Sequence, residues 1–183
     1  MMKGFERKNQ LLSLCGLNCA LCPMLLGKHC GGCGDGNRSC KIAKCSLEHG
    51  KIGYCYECEH YPCDTYQHID EFDSFITHQR QKADLEKAQR IGLEQYNLEQ
   101  QEKMKILSYL LSNYNDGRRK NFFCVAANLL ELSELQEALN ELQSNRELPL
   151  FPIKEQCSYV ADVFQKIADR KNIKLKLIKN HKS

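Results

Sequence analysis

The chain has 183 residues, of which 42% are hydrophobic, 27% are charged and 12 are cysteines. This length fits one ordinary domain, or a small domain with a modest second one, and it excludes a large barrel enzyme. Lys and Arg total 26 against 23 Asp and Glu, a formal net charge of +3 that excludes both a strongly basic and a strongly acidic chain. Ten of the cysteines lie between Cys15 and Cys63, so this segment carries the main chemical signal.

The compartment decides what clustered cysteines mean. The apolar segment from Leu11 to Leu26 is interrupted by Asn18, Pro23 and cysteines, so it does not predict an export signal. No apolar run approaches the ~20 residues that a membrane span needs. We therefore expect a cytoplasmic protein with no membrane segment, whose clustered cysteines indicate metal binding or redox chemistry rather than disulfides.

Composition predicts two parts. Residues 15 to 63 hold eight of the 11 glycines and contain no Val or Phe, so this segment cannot bury enough apolar surface to offset its ordering entropy unaided. We expect residues 1–66 to form a small irregular module that bound metal stabilises, and residues 67–183 to form a helical body.

The fold class predicted for the whole chain is mostly α. In the helical body, periodicity predicts helices over residues 69–91, 93–114, 122–130, 133–143 and 154–170, and a short strand over 173–178. Gly92 predicts a break, Asn121 and Ser133 are expected to cap the third and fourth helices, and Gly117 predicts a left-handed turn.

The cysteine spacing indicates metal sites. Three C-x2-C pairs occur, and each can form a turn in which two thiolates bind one ion. The predicted ligands are all ten clustered cysteines: Cys15, Cys19, Cys22, Cys30, Cys33, Cys40, Cys45, Cys55, Cys58 and Cys63. Four thiolates complete a tetrahedral site, so ten supply about two zinc ions. A structural zinc contributes ~10–16 kcal/mol to folding, enough to compensate for a missing core.

The cysteine spacing leaves two questions open. The spacing does not decide which cysteines share an ion, and His29 and His60 are near enough in sequence to serve as further donors. Four-cysteine sites also bind iron–sulfur clusters, although separate C-x2-C pairs favour zinc over one compact cluster motif.

A family resemblance accompanies these motifs. The segments from Cys15 to Pro23, Cys30 to Cys33, Cys40 to Cys45 and Cys55 to Cys63 together resemble the prokaryotic cysteine-rich family called domain of unknown function 3795. The segment from Asn115 to Cys124 extends the likeness to about residue 140. The resemblance implies a cytosolic, zinc-binding protein, in a family whose molecular activity is not established. The stretch between Leu26 and Cys30 is shorter than in the family, as if an inserted loop were missing.

A second candidate site precedes the third predicted helix. Arg118, Arg119 and Lys120 place three cations at a helix N-terminus, where they oppose the helix dipole and suit a phosphate or carboxylate ligand. Cys124 would be the third helical residue, where the dipole and the arginines could lower its pKa and make it a nucleophile or redox thiol. The alternative is a solvated basic loop beside a buried core cysteine.

The C-terminal tail is basic. From residue 170 onward there are six cations and no acid, so the preceding residues carry a net charge of −3. The cations are Arg170, Lys171, Lys174, Lys176, Lys179 and Lys182. Because the tail has no aromatic residue for base stacking, nucleic-acid binding is not the favoured interpretation.

Taken together, these patterns predict a zinc-binding protein that acts as a structural-zinc interaction or regulatory module with an unidentified protein partner. One alternative is an iron–sulfur or thiol-dependent enzyme or redox protein that uses Cys124 with Arg118 and Arg119. Another is nucleic-acid binding through zinc knuckles and the basic tail.

Overall fold

The computed structural model describes residues 2–180, which form eight α-helices and three short 3-10 helices and contain no strand. The mostly α prediction is confirmed. The α-helices are α1 (Pro23–Leu26), α2 (Lys41–Glu48), α3 (Asp64–Gln67), α4 (Gln81–Ile91), α5 (Leu93–Asn113), α6 (Lys120–Leu129), α7 (Leu132–Ser144) and α8 (Ile153–Arg170). The 3-10 helices are Cys19–Leu21, Cys55–Glu57 and Leu148–Leu150. Among the described residues, no helix has both the length and the apolar character to cross a membrane.

The chain divides into two compact units at a different point from the predicted boundary after residue 66. Unit 1 contains the residues up to Gln100 together with the tail from Leu177, and unit 2 is Gln101–Lys176. The division falls within α5. Unit 1 therefore includes α4 and the first part of α5 as well as the cysteine-rich segment.

Tyrosines build much of the core of unit 1. One buried cluster joins Leu12, Tyr54 and Tyr66, which all belong to residues 1–66, to three residues of α4 and α5, Leu85, Ala88 and Tyr96. A second, smaller cluster contains Met2, Phe5, Leu14 and Ala43. The cysteine-rich segment thus gains apolar burial from aromatic side chains and from α4, in addition to whatever a metal contributes.

The predicted helix over residues 69–91 is wrong in its first half, because α4 begins at Gln81. Residues 68–80 form an irregular loop organised around Asp73. Its carboxylate accepts hydrogen bonds from the backbone N–H of His78 at 2.6 Å and from the side-chain amide of Gln79 at 2.9 Å. These bonds give polar groups of the loop hydrogen-bond partners without helical backbone pairing.

The predicted C-terminal strand is also wrong for the described residues. The N–H of Asp73 donates to the Ile178 carbonyl at 2.8 Å, and the N–H of Ile178 donates to the Asp73 carboxylate at 2.7 Å. No strand among the described residues lies beside the segment to extend this pairing. The predicted alternation persists, since Leu175 is buried while Lys174 and Lys176 are exposed. Lys182 lies outside the described residues.

In unit 2 the helices lie close to their predicted positions, with shifted beginnings. α6 begins at Lys120, so Asn121 is inside the helix rather than at its cap. α7 begins at Leu132, and Glu134 rather than Ser133 closes its first turn by accepting the N–H of Glu131 at 2.7 Å. α6 is buried on most sides, and its Phe123 ring meets Phe164 of α8 at 6.2 Å.

Candidate metal centre

None of the twelve cysteines, all of which lie within the described residues, forms a disulfide, and the ten clustered ones belong to unit 1. Nine of these ten are half-buried and Cys22 is buried. They fall into two sets by their electrostatic influence on one another and by the lining of a common cavity, and Cys15 with Cys55 links the two sets. The first cysteine group is Cys15, Cys19, Cys22, Cys30, Cys33 and Cys40, and the second cysteine group is Cys45, Cys55, Cys58 and Cys63.

The first cysteine group is held by turns rather than long elements. Cys19 begins a 3-10 helix and Cys22 caps α1, so a single turn separates these two residues. Cys30 lies in the glycine-rich loop, where the N–H of Gly32 donates to its sulfur at 3.3 Å. Gly32 has φ +89°, a left-handed conformation that a residue with a side chain rarely adopts. Amide donation to sulfur is the arrangement that stabilises a thiolate.

Burial is the largest influence on the pKa values of Cys15, Cys19 and Cys33. It raises the pKa of the Cys15 thiol to about 11, partly opposed by a hydrogen bond to Ser13 and reinforced by the neighbouring Cys33. Burial likewise raises the pKa of Cys19, and negative charge at Cys33 and Cys15 raises it further. The mutual effect of these sulfurs shows that they share one neighbourhood. Without a cation such thiols keep their protons, whereas a cation would favour the thiolates.

The second cysteine group lines a small cavity. Cys45 lies on α2, Cys55 begins a 3-10 helix, Cys58 ends it, and Cys63 caps α3. Burial raises the pKa of Cys55, and charge at neighbouring cysteines adds to the effect, with Cys15 first and then Cys63, Cys45 and Cys58. The pKa of Cys45 is raised first by burial and then by negative charge at Cys63 and Cys58.

Two histidines lie at the edge of the second cysteine group. The His49 Nδ1 atom is 3.5 Å from the Cys45 sulfur, and it is also 2.8 Å from the Cys45 carbonyl oxygen. The His60 ring meets the His49 ring edge-on at 5.8 Å. Because the shorter contact of Nδ1 is with the carbonyl, His49 is positioned to orient Cys45 rather than to replace a thiol.

The thiols fit zinc by chemistry and grouping, although they do not form a finished coordination sphere. Within residues 2–180, no three side chains of Cys, His, Asp or Glu are close enough together to hold an ion. The structure therefore shows two thiol neighbourhoods whose sulfurs would have to close around an ion. Thiolate is a ligand that both zinc and iron–sulfur clusters use.

A buried polar chain anchors the beginning of the first cysteine group to α4 and α5. The Tyr96 hydroxyl donates to the Asn18 amide oxygen at 2.8 Å, and the Asn18 amide nitrogen donates to Asp84 at 2.8 Å. The Asp84 carboxylate also contacts the Arg80 guanidinium at 3.3 Å. The residue before Cys19 is thereby fixed to two helices, a connection that no local motif indicated.

In the basic segment before α6, backbone N–H groups already donate to side chains of the same loop. The N–H groups of Gly117 and Arg119 donate to the Asn115 side chain, and that of Arg118 donates to Asp116. Arg118 is exposed, and Arg119 and Lys120 are half-buried. Anion binding by these three cations stays a prediction, since the loop carboxylate and amide already take three of the backbone donors.

The two remaining cysteines are in the core of unit 2. Cys124 is 2% exposed and is the fifth residue of α6, so it lies beyond the first turn in which the helix dipole acts most strongly. Cys157 on α8 is fully buried, and its thiol donates to the Tyr114 carbonyl at 2.8 Å. These positions favour the core interpretation of both residues.

Comparison of the chain with protein-family models, with curated proteins and with solved structures found no match. The resemblance drawn from the cysteine motifs therefore stays a prediction, and the functional argument depends on the site alone.

Proposed function

We propose that the protein binds zinc through the clustered cysteines of unit 1, and that the ions stabilise this unit as an interaction or regulatory module in the cytoplasm. The observation that carries the proposal is the gathering of all ten clustered cysteines into two adjacent groups within a segment of loops and short helices. The buried thiols with raised pKa values keep their protons without a cation, whereas a bound divalent ion would hold them as thiolates and release those protons.

Zinc is preferred to an iron–sulfur cluster because the thiols are supplied by separate turns. Cys19 with Cys22, Cys30 with Cys33 and Cys55 with Cys58 each form a short two-thiol turn, as structural zinc sites use. An iron–sulfur protein more often draws its ligands from one compact run. The interaction role follows from the stabilising role, because an ion held by four thiolates has no open coordination position for a substrate.

Metal analysis of protein purified without oxygen tests the proposal. We expect about two zinc ions for each chain, because four thiolates complete a tetrahedral site, and a colourless solution. A brown solution containing iron and sulfide would instead support the iron–sulfur alternative. Protein that retains no metal and does not take up added zinc would contradict both. Binding of single-stranded nucleic acid that weakens steeply with salt would support the third interpretation.

A further inference from the structure

We propose that Cys45, Cys55, Cys58 and Cys63 together form one four-thiolate metal site, separate from the six cysteines that precede them. This assignment rests on the proposed function and goes further, because the spacing in the sequence leaves the pairing open. Ten cysteines can be divided into sets of four in many ways, and the C-x2-C turns alone do not choose among them.

The first argument is a shared cavity. Of the ten clustered cysteines, all within the described residues, only these four line a cavity of about 20 Å³. A space of ~10–15 Å³ accommodates one water-sized occupant, so this cavity has room for an ion. The remaining lining is largely apolar and includes Leu14, Ile42 and Ile52. An apolar lining excludes water and strengthens the attraction between an ion and thiolates.

The second argument is the scaffold that presents the four thiols. Cys45 is on the two-turn helix α2, whereas the other three lie on tightly bonded turns. The N–H of Cys58 donates to the Cys55 carbonyl at 3.1 Å, and the N–H of Cys55 donates to the Leu14 carbonyl at 3.0 Å. The Cys63 carbonyl accepts the N–H of Tyr66 at 2.8 Å. Each of these thiols is therefore carried by a hydrogen-bonded backbone, and the four side chains have to move inward before they can surround an ion.

The third argument is the position of Cys15, the member of the first cysteine group that influences the second. Its sulfur lies 3.3 Å from the Ser13 hydroxyl and does not line the cavity. Its carbonyl accepts the Tyr66 hydroxyl at 2.9 Å and the Gln81 amide at 3.1 Å, which fixes its backbone between the two groups. Cys15 is thus a neighbour of this site and not one of its ligands. The preceding six cysteines supply the second ion.

Cadmium NMR of the intact protein tests the assignment directly, because cadmium replaces zinc at thiolate sites and couples to the β-protons of its ligands. We expect the β-protons of Cys45, Cys55, Cys58 and Cys63 to correlate with one cadmium resonance, to which no other cysteine correlates. Correlation of any of these four with a different cadmium, or of Cys15 with theirs, would overturn the assignment.

Matched variants give a second measurement. Cys58→Ser leaves three thiols in the second cysteine group and should reduce the bound zinc by one ion, and Cys58→Ser/Cys63→Ser should lose no more than that one ion. Loss of a second ion in the double variant would show that Cys58 and Cys63 belong to different sites, contrary to the proposal. If the unmodified protein binds neither cadmium nor zinc, then the proposed function itself fails, a result distinct from metal bound by a mixed set of ligands.

Discussion

The sulfur of Cys30 lies in a space that only a glycine at position 36 leaves open. A Cβ placed on Gly36 would overlap this sulfur. In Gly36→Ala the sulfur must rotate away, which costs a free thiol little but displaces a bound thiolate from its ion. We expect Gly36→Ala to lower the affinity for one zinc by about tenfold or more, measured by competition with a chromophoric chelator.

Gly53→Ala is the matched control for this variant. A Cβ at Gly53 would meet the Glu57 carboxylate at 3.2 Å, the flexible end of a side chain that is not a thiol. The control should therefore retain the wild-type affinity. Equal zinc affinity in both variants would show that Cys30 is not a ligand in the bound state.

The two cysteines of unit 2 should behave as inert thiols. Burial raises the pKa of Cys157, so its thiolate fraction is below that of an ordinary thiol at neutral pH and grows only as the pH rises further. Cys124 is equally inaccessible. We expect neither residue to react with iodoacetamide in the native, metal-loaded protein, and both to react after denaturation, as measured by mass spectrometry. Rapid native labelling of Cys124 would instead support the thiol-enzyme interpretation.

At the scale of elements, sequence periodicity predicted the long amphipathic helices and failed where distant groups organise the chain. α5 and α8 lie within one or two residues of their predicted bounds because the apolar pattern on each is continuous. The loop before α4 carries a helix-like pattern, yet Asp73 binds Ile178, a residue 105 positions away. A local pattern contains no record of such a partner.

A buried lysine of α5 binds the C-terminal end of α6. Lys103 on α5 is 3% exposed, and its ammonium donates to the Leu130 carbonyl at 2.6 Å. Leu130 caps the C-terminus of α6, where backbone carbonyls leave partial negative charge. Lys103→Met keeps the apolar stem but leaves this carbonyl without its charged donor. We expect the free energy of unfolding to fall by about 1.5–3 kcal/mol, measured by urea denaturation.

Lys105→Met on the same helix is the control for that variant. Lys105 is largely exposed, and its partner Glu102 is exposed as well. Removal of a solvent-screened ion pair should change stability by less than about 0.5 kcal/mol. Equal effects of the two substitutions would contradict a specific role for Lys103 at the end of α6.

For the whole molecule, the sequence located the cysteine-rich segment but not the arrangement of its thiols. The density of cysteine between residues 15 and 63 was sufficient to predict a metal-binding region. Their grouping depends on where the backbone turns, and the turns are fixed by partners such as Asn18, Tyr66 and Tyr96. A count of aliphatic residues in this region also overlooks its tyrosines, Tyr54 and Tyr66, which form much of the core shared with α4.

Removal of metal should therefore separate the behaviour of the two units. Unit 1 combines the thiol groups with a modest aromatic core, whereas unit 2 has a core of its own made by α6, α7 and α8. After chelation under reducing conditions, we expect hydrogen exchange to accelerate in residues 15–66 and in α4, because loss of the ions returns the ordering entropy of the loops.

In the same experiment α6 and α8 should keep their slow exchange, since their buried residues depend on no thiol ligand. The helical circular dichroism should fall only in part. Uniform loss of protection through both units would show that the helical core of unit 2 also depends on metal. Unchanged exchange throughout would show that the tyrosine core alone is sufficient to hold the cysteine-rich segment, and that zinc is not a structural component of the protein.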